Sequence, residues 1–370
     1  MVVDWECDEM VKLDSPFNMP LDQVKEWRFK VFKQIFEFHY KNCPLYTRYC
    51  DLYHVTPEDI KTNSDLNKIQ PVPSDAFRDM DSPIISVPEA DIVFKSTTSS
   101  TTSSKPVWFC MDKTSIDRTN FANRRSFTEI LKLRDGFVFF LTPKDSDTGL
   151  VKGMQATLRT IGLPPENSDY LVTGGEFDVE QVIKKLTDCP IKPRHIYGPP
   201  FVFMRIVEYM EANNKQLKLD PESRLMTTGG WKRVQGEVPR EMFIERVSKV
   251  FGVDGSQIRD SLGLTDIFTM LPECEHHKKH VPPWFYISAR NPEKTNEEVA
   301  EGETGLLVYM SSLIQSYPAF CMTGDMGILR EGVCECGRTG QTVQHMGRAQ
   351  GAGARGCAIR LEEFMNKIQK

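Results

Sequence analysis

The feature that most constrains this sequence is a regular alternation of strand-like and helix-like segments through its middle third. The continuous apolar run Phe137–Leu141 is typical of a buried strand, and the short segment His195–Tyr197 is also predicted to be a strand. The region after this second segment carries Phe203, Ile206 and Met210 at helical spacing. Such alternation is typical of an α/β fold, and it predicts mixed, largely parallel sheets covered by helices.

Polar and glycine-rich turns follow several of the predicted strands. They are Tyr197–Pro200, Thr227–Trp231 and Leu262–Asp266. In open α/β sheets, ligands bind beyond the carboxyl ends of the strands, and glycines there let a flat ring or a phosphate approach the backbone. The shared placement of these turns therefore indicates a nucleotide-like site.

A run of nine hydroxyl-bearing residues, Ser96–Ser104, lies between strand-like Ile92–Phe94 and Val107–Phe109. Its Ser and Thr side chains compete for backbone hydrogen bonds, so the run is a poor helix former. With Lys105 behind it, such a loop can present N–H groups, hydroxyls and one cation to a phosphate. A flexible Ser/Thr linker accounts for the composition equally well.

The length and net charge of the chain limit the number of domains and the kinds of partner that we expect. A chain of 370 residues is long enough for one large and one smaller domain, and its net charge of −5 disfavours nucleic acid as a partner. No apolar run approaches the roughly 20 residues that cross a bilayer, and the acidic N-terminus lacks a signal pattern, so we expect a cytoplasmic protein without a membrane span. Its ten cysteines then indicate thiols, metal ligands or a nucleophile.

The chain changes character after Pro282, where short strands between Gly, Glu and Pro turns predict a small β-rich subdomain. There, Thr323-Gly-Asp325 places a carboxylate beside a glycine. A carboxylate can accept two hydrogen bonds from a ribose diol, although an Asp in a plain turn has the same local sequence.

Taken together, the motifs resemble those of the long-chain acyl-protein synthetases of bacterial bioluminescence. More broadly, they resemble the phenylacetate-coenzyme A ligase-like branch of the adenylate-forming enzymes. The segments that carry the resemblance are the run before Lys105-Pro106, Thr228-Gly-Gly-Trp-Lys232, Leu262-Gly263 with Thr265-Asp266, Cys274–Pro282, Thr323-Gly-Asp325, Cys334-Glu-Cys-Gly-Arg338 and Gly347-Arg348. Such enzymes activate a carboxylic acid with ATP to an acyl-adenylate and pass the acyl group to a thiol.

The resemblance implies a domain plan and an assignment of roles. Residues 1–345 would form an adenylation-like domain, with a β-rich, zinc-bearing part at about 268–345, and residues 346–370 a truncated C-terminal lid. Contacts to the triphosphate would come from Ser99, Ser100, Thr101, Thr102, Ser103 and Lys105. Contacts to the adenosine would come from Gly229, Gly230, Trp231, Leu262, Gly263 and, on the ribose, Asp325. Thr265 and Asp266 would lie near the α-phosphate and magnesium, and Arg348 at the hinge. The catalytic set would be Lys105, Thr265, Asp266 and Cys357.

Several positions depart from the family pattern. Ser100 and Ser103 replace glycines, so two extra side chains occupy space that glycine leaves open. Leu262 replaces an aromatic residue, and Asp266 replaces a longer glutamate. These changes leave an alternative open: an adenylation-impaired relative that accepts an already activated acyl group or acts as a subunit of an acyl-reductase complex.

The family's acyl-bearing cysteine would be Cys357. Neighbouring Arg355 would favour its thiolate, which is the competent nucleophile, although free cysteine is equally often a small buried residue. The substrate would be a carboxylic acid, fatty or otherwise. The acceptor would be Cys357, an acyl carrier or coenzyme A, with an acyl-reductase as a candidate partner.

Clustered cysteines and histidines predict a structural zinc site. The expected ligands are Cys274, His280, Cys334 and Cys336, with His276 as the main rival. Four Cys and His ligands close a tetrahedral site and leave no position for substrate. The family resemblance supports zinc here, whereas reduced structural thiols are the alternative in a cytosolic protein.

Overall fold

The computed structural model describes residues 5–78, 83–98, 107–144, 155, 158–159, 161–172, 177–231, 237–351, 361 and 364. They fall into two compact units, the first comprising Met1–Ala122, Leu264–Thr269 and His280–Lys370, the second Asn123–Gly263 and Met270–Lys279. The described α-helices are α1 Glu6–Met10, α2 Leu21–Asn42, α3 Pro44–Leu52, α4 Lys113–Glu129, α5 Val179–Asp188, α6 Pro200–Ala212 and α7 Arg240–Phe251. The described strands are β1 Val72–Pro73, β2 Ile92–Thr98, β3 Val107–Asp112, β4 Phe137–Pro143, β5 Ser168–Val172, β6 Arg194–Gly198, β7 Leu225–Thr228, β8 Ile258–Leu264, β9 Thr269–Pro272, β10 Lys279–His280, β11 Phe285–Arg290, β12 Thr304–Ser311, β13 Phe320–Val333 and β14 Thr339–Arg348.

The second unit is built on a sheet in the order β5-β4-β6-β7-β8-β9. The pairs β4–β5, β4–β6, β6–β7 and β7–β8 are all parallel. Parallel neighbours need crossover connections, and α5, α6 and α7 lie in those connections. This arrangement confirms the predicted α/β class with a largely parallel sheet.

Both faces of this sheet are covered, which explains the unbroken apolar run in β4. Phe139 and Leu141 pack into one apolar cluster, whereas Val138 and Phe140 pack into another. Successive strand residues point to opposite faces, so a strand buried on both sides needs apolar residues at every position. On β7, the neighbouring residues Leu225 and Met226 likewise point to opposite faces and pack into different clusters.

The first unit is built on a mostly antiparallel sheet in the order β10-β14-β13-β12-β11, with β1 paired in parallel to β13. Helix α2 packs onto it. The rings of Phe32, Phe36 and Tyr46 surround Phe320 at centroid distances of 6.5, 6.5 and 6.0 Å. The helix also buries Arg28, whose guanidinium lies 2.7 Å from Glu331 on β13.

Strands β2 and β3 form an antiparallel pair in the first unit. They confirm the two strands predicted on either side of the hydroxyl run. Strand β2 extends to Thr98, so the first three residues of the run are part of the strand and not of a loop, and residues 99–104 lie outside the described residues. Within the described ranges, none of the helices combines the length and the apolar character that a membrane crossing requires.

Candidate active site

A carboxylate centre forms around Asp325 on β13 of the first unit. Thr323 Oγ1 donates a hydrogen bond to Asp325 Oδ2 at 2.6 Å, and His345 Nε2 lies 3.3 Å from Oδ1. Arg348 Nε lies 3.4 Å from the same Oδ1, and its guanidinium also bonds to the Thr323 carbonyl. Burial opposes the charged form, but His345, Arg348 and Thr323 together lower the pKa of Asp325. This carboxylate is therefore held ionised.

Asp266 lies in the same unit, in the short turn after β8. Its backbone carbonyl accepts a hydrogen bond from Tyr317 Oη at 2.8 Å and faces Cys321 Sγ at 3.6 Å. Burial raises the pKa of the Asp266 carboxyl, and the negative charge of Asp325 raises it further, while Ser74 and Arg348 act in the opposite direction.

Two carboxyl groups thus influence each other within one unit, with their pKa values shifted in opposite directions. The two carboxyl groups are suited to different tasks. The ionised Asp325 can accept hydrogen bonds from a diol, whereas Asp266 would gain a favourable charge interaction from a cation bound beside it. A divalent cation beside Asp266 would favour its charged form, so the donor chemistry fits magnesium.

The glycine turn predicted near adenine lies after β7 in the second unit. Gly229 and Gly230 have φ values of 77° and 61°, a region that favours glycine. Apart from Gly230 itself and its chain neighbours, none of the described residues has an atom within 4 Å of the place where a Cβ on Gly230 would stand. Trp231 is half-buried, with its ring edge-on to Phe243 at 6.3 Å. The turn therefore leaves open space over its backbone.

Strand β8 of the second unit carries Leu262 and Gly263 at its carboxyl end, and both are half-buried. Nearby, β7 and β8 are joined through side chains as well as backbone. Thr227 Oγ1 donates to Asp260 at 2.6 Å, and Thr228 Oγ1 donates to the Ser261 carbonyl at 3.2 Å. Thr265, which follows the strand, is half-buried in the first unit.

Some predicted site residues fall outside the described residues. They are Ser99, Ser100, Thr101, Thr102, Ser103, Lys105 and Cys357. Their assignment to the triphosphate and to the acyl group stays a prediction.

The four predicted metal ligands come together. The ligand atoms of Cys274, His280, Cys334 and Cys336 all lie within 4.8 Å of one another. Cys336 Sγ is 3.3 Å from His280 Nε2. Although burial opposes thiolate formation, hydrogen bonds from Arg338 lower the pKa of Cys336. The rival His276 is exposed and is not one of the four.

Local backbone geometry explains this clustering. The Cys274 N–H bonds to the Lys278 carbonyl at 2.9 Å, which turns the chain back just before His280 on β10. At the tip between β13 and β14, the Cys334 N–H bonds to the Arg338 carbonyl at 2.8 Å. Three thiols and one imidazole are the donor set of a closed tetrahedral zinc site, so the residues fit zinc.

Sequence reasoning missed several groups around the carboxylates, notably Ser74, Tyr309 and His345. His345 follows a strand-like stretch two residues before Gly347-Arg348, so its distance from a matched motif was a usable signal. Tyr309 lies in an apolar strand, and the sequence pattern of that strand predicts only a position in the hydrophobic core. Only its pairing with β13 shows which groups it adjoins.

The fold is that of the adenylate-forming ligases. Among solved structures, a 2-hydroxyisobutyryl-CoA ligase in complex with 2-HIB-AMP and CoA matches with a TM-score of 0.69 at 16% identity, covering 92% of this chain and 79% of that one. A long-chain-fatty-acid-CoA ligase from Archaeoglobus fulgidus matches with a TM-score of 0.51 at 16% identity, covering 71% of this chain and 52% of that one.

The particular family follows from the sequence. Residues 1–366 match the family described as acyl-protein synthetase, LuxE, and the chain belongs to that family. A long-chain-fatty-acid–luciferin-component ligase from Aliivibrio fischeri is 28% identical over 99% of this chain and 96% of its own length. One of the same name from Vibrio harveyi is 26% identical over 97% of this chain and 93% of its own.

Membership confirms the predicted resemblance and the prediction of an acyl-activating ligase that forms an acyl-adenylate and passes the acyl group to a thiol. It does not favour the alternative of an adenylation-impaired relative.

Proposed function

We propose that this chain uses ATP and Mg²⁺ to activate a long-chain fatty acid and then carries the acyl group as a thioester on Cys357, for delivery to an acyl-reductase partner. The fatty substrate is proposed because the two curated relatives are named as ligases for long-chain fatty acids. The observation that carries the nucleotide part is the carboxylate pair Asp266 and Asp325, flanked by Arg348 in one unit.

In the first step, a fatty-acid carboxylate oxygen attacks the α-phosphorus of ATP, and pyrophosphate leaves. The ionised Asp325 is suited to accept hydrogen bonds from the ribose diol, which fixes the position of the nucleotide. Bound near Asp266 and Thr265, Mg²⁺ would stabilise the charge that develops on the phosphates. Arg348 adds a cation beside both carboxylates.

The remaining nucleotide contacts are proposed from the family motifs. The open turn Gly229–Trp231, together with Leu262 and Gly263, is assigned to the adenine. The hydroxyl run Ser99–Ser103 with Lys105 is assigned to the triphosphate, where hydroxyls, N–H groups and one cation suit an anion.

In the second step, the Cys357 thiolate attacks the acyl carbonyl carbon, a thioester bond forms and AMP leaves. Arg355 two residues earlier favours the thiolate. The Cys274, His280, Cys334 and Cys336 cluster is proposed to hold a structural zinc ion and to take no part in either step.

Intact-protein mass spectrometry after incubation with ATP, Mg²⁺ and fatty acids of several chain lengths tests this proposal. We expect one acyl increment on the wild type, none on Cys357→Ala, and an unchanged increment on the matched control Cys189→Ser, a partly exposed cysteine. ATP–pyrophosphate exchange should persist in Cys357→Ala, because adenylation precedes transfer. Absence of exchange with every acid in the wild type would refute the activation step, whereas an adduct on Cys357→Ala would refute only the acceptor.

A further inference from the structure

We propose that the Tyr309 hydroxyl donates a hydrogen bond to an acceptor oxygen of the bound acyl-adenylate and so acts as a further substrate-contacting residue. The inference rests on the proposed function, because it takes the ligand beside Asp266 and Asp325 to be a nucleotide. It adds a donor to a site whose other identified groups are chiefly carboxylates and cations.

Strand pairing places Tyr309 in the carboxylate centre. Tyr309 on β12 is directly opposite Cys321 on β13, and directly paired residues on antiparallel strands project to the same face of the sheet. Cys321 Sγ in turn faces the Asp266 carbonyl at 3.6 Å. The Tyr309 ring therefore stands on the face of the sheet where the Asp266 turn lies.

The Tyr309 hydroxyl is buried and has no hydrogen-bond partner among the described residues. Other buried tyrosines of the first unit do have partners. Tyr46 donates to the Gln70 carbonyl at 2.9 Å, Tyr286 to Glu298 at 3.0 Å, and Tyr317 to the Asp266 carbonyl at 2.8 Å. A buried donor without a partner is rare in folded proteins and calls for an explanation such as a ligand or an ordered water.

A second buried hydroxyl points to the same place. Among the described residues, no acceptor meets the geometry of a full hydrogen bond to Ser74 Oγ, although this hydroxyl points at the Asp266 carboxyl closely enough to lower its pKa as a weak hydrogen bond would. Ser74 follows β1, and Val72 of β1 pairs with the same Cys321 that faces Tyr309. Tyr309 on β12 and Ser74, which directly follows β1, thus bring two buried hydroxyls without a full partner among the described residues to the surroundings of Asp266.

The nearby charges define the chemistry of the missing partner. Burial raises the pKa of Tyr309, and the carboxylate charges of Asp325 and Asp266 raise it further, so the phenol stays protonated and can donate a hydrogen bond. Ribose hydroxyls and phosphate oxygens of an adenylate both supply such acceptors. The Tyr309 hydroxyl is buried in the ligand-free protein. A ligand that accepts its hydrogen bond must therefore bind on the face of the sheet where the Asp266 turn lies.

The test compares Tyr309→Phe with Tyr317→Phe, two removals of one buried hydroxyl in the same unit. Binding of 5′-O-(N-dodecanoylsulfamoyl)adenosine, AMP and adenosine is measured by calorimetry, and thermal unfolding is measured without ligand. For Tyr309→Phe we expect about tenfold weaker binding of the acyl-sulfamoyl compound, the size of one lost hydrogen bond. Its ligand-free melting temperature should stay the same or rise, whereas that of Tyr317→Phe should fall.

The nucleotide panel identifies the acceptor. Weaker binding of adenosine as well as AMP supports a ribose acceptor, and a loss confined to compounds with a phosphate or sulfamate supports an acceptor there. Ser74→Ala is the second variant and should also weaken binding without destabilising the free protein. Unchanged binding in Tyr309→Phe, with a lower melting temperature, would overturn the inference, because it would show that the hydroxyl is satisfied internally. If the wild type binds none of the compounds, the proposed function fails, and this inference with it.

Discussion

At the scale of single residues, the site depends on the contrast between two aspartates. Asp325 is kept ionised by Thr323, His345 and Arg348, whereas burial and the charge of Asp325 work against ionisation of Asp266. The environment of Asp325 suits a permanent hydrogen-bond acceptor. The environment of Asp266 suits a group whose charge depends on what binds beside it. The opposite pKa shifts therefore give the two carboxylates different roles.

This contrast predicts the effect of Asp325→Asn. The amide keeps the size of the side chain but loses the negative charge and one of the two acceptor oxygens that a ribose diol would use. Hydrogen bonds to charged groups contribute about 1.5–3 kcal/mol, so we expect AMP binding to weaken roughly ten- to hundredfold in calorimetry.

Asp75→Asn is the matched control for that change. Asp75 is an exposed carboxylate of the same unit and pairs with Arg78 three residues later. This variant loses the same charge at an exposed position, outside the group of Thr323, His345 and Arg348 that surrounds Asp325. An AMP affinity of Asp325→Asn equal to that of Asp75→Asn would contradict the assignment of Asp325 to the ribose.

At the scale of elements, the sequence predicted most of the second unit. Strand β4 is apolar from Phe137 to Leu141 because both sheet faces are covered, and helices α6 and α7 show their buried faces as a 3.6-residue period. The positions of the glycine turns at strand ends were equally readable. These features depend on residues that are close in sequence, and such local patterns can be predicted from a single sequence.

The contacts of the first unit were less readable because they join distant positions. Arg28 on α2 pairs with Glu331, and Tyr309 faces Cys321, and no periodicity in the sequence encodes either pairing. The carboxylate motif Thr323-Gly-Asp325 could be predicted, but Ser74 and Tyr309 beside it could not. Their positions follow from strand register, which depends on the whole sheet.

The β13–β14 hairpin carries an element-scale prediction about metal. Cys334 and Cys336 lie at its tip, so a zinc ion held there with Cys274 and His280 would cross-link segments more than fifty positions apart in sequence. We expect the purified protein to contain one zinc ion, and Cys336→Ser to lose it. The melting temperature should fall by several degrees after chelation, because binding free energy is then lost from the folded state.

Elemental analysis and calorimetric melting measure the two effects, and Cys189→Ser is the control. Cys189 is a partly exposed cysteine away from the cluster, so its loss should change neither the zinc content nor the response to chelator. Zinc-free protein that melts at the same temperature with and without chelator would show that the four residues are only structural thiols and an imidazole.

At the scale of the whole molecule, each unit contains a buried histidine that must stay neutral. In the first unit, His39 accepts from the Ser86 hydroxyl at 2.7 Å and donates to the Ile314 carbonyl at 3.1 Å. In the second, His195 accepts from the Arg224 N–H at 3.0 Å and donates to the Asp135 carbonyl at 2.8 Å. Burial lowers the pKa of His39 to about 3 and that of His195 to about 4.

These two histidines make the folded protein sensitive to acid. A histidine of ordinary pKa in the unfolded chain takes up a proton below about pH 6.5, whereas the buried ones do not, so the unfolded state binds more protons and stability falls as the pH falls. The loss begins near pH 6.5 and continues down to the folded-state pKa. Between pH 7 and pH 5, each histidine should cost about 2 kcal/mol of unfolding free energy.

Urea unfolding at pH 7 and pH 5 measures this loss. His39→Gln keeps a polar side chain that does not titrate, so the loss on acidification should shrink by about 2 kcal/mol relative to the wild type, even if the variant is less stable at both pH values. His54→Asn is the control, because His54 is exposed and asparagine tolerates its positive φ of 53°. It should lose as much stability as the wild type between the two pH values. An equal loss in His39→Gln would show that His39 is protonated in the folded chain, and that its hydrogen bonds to Ser86 and Ile314 do not fix the neutral form.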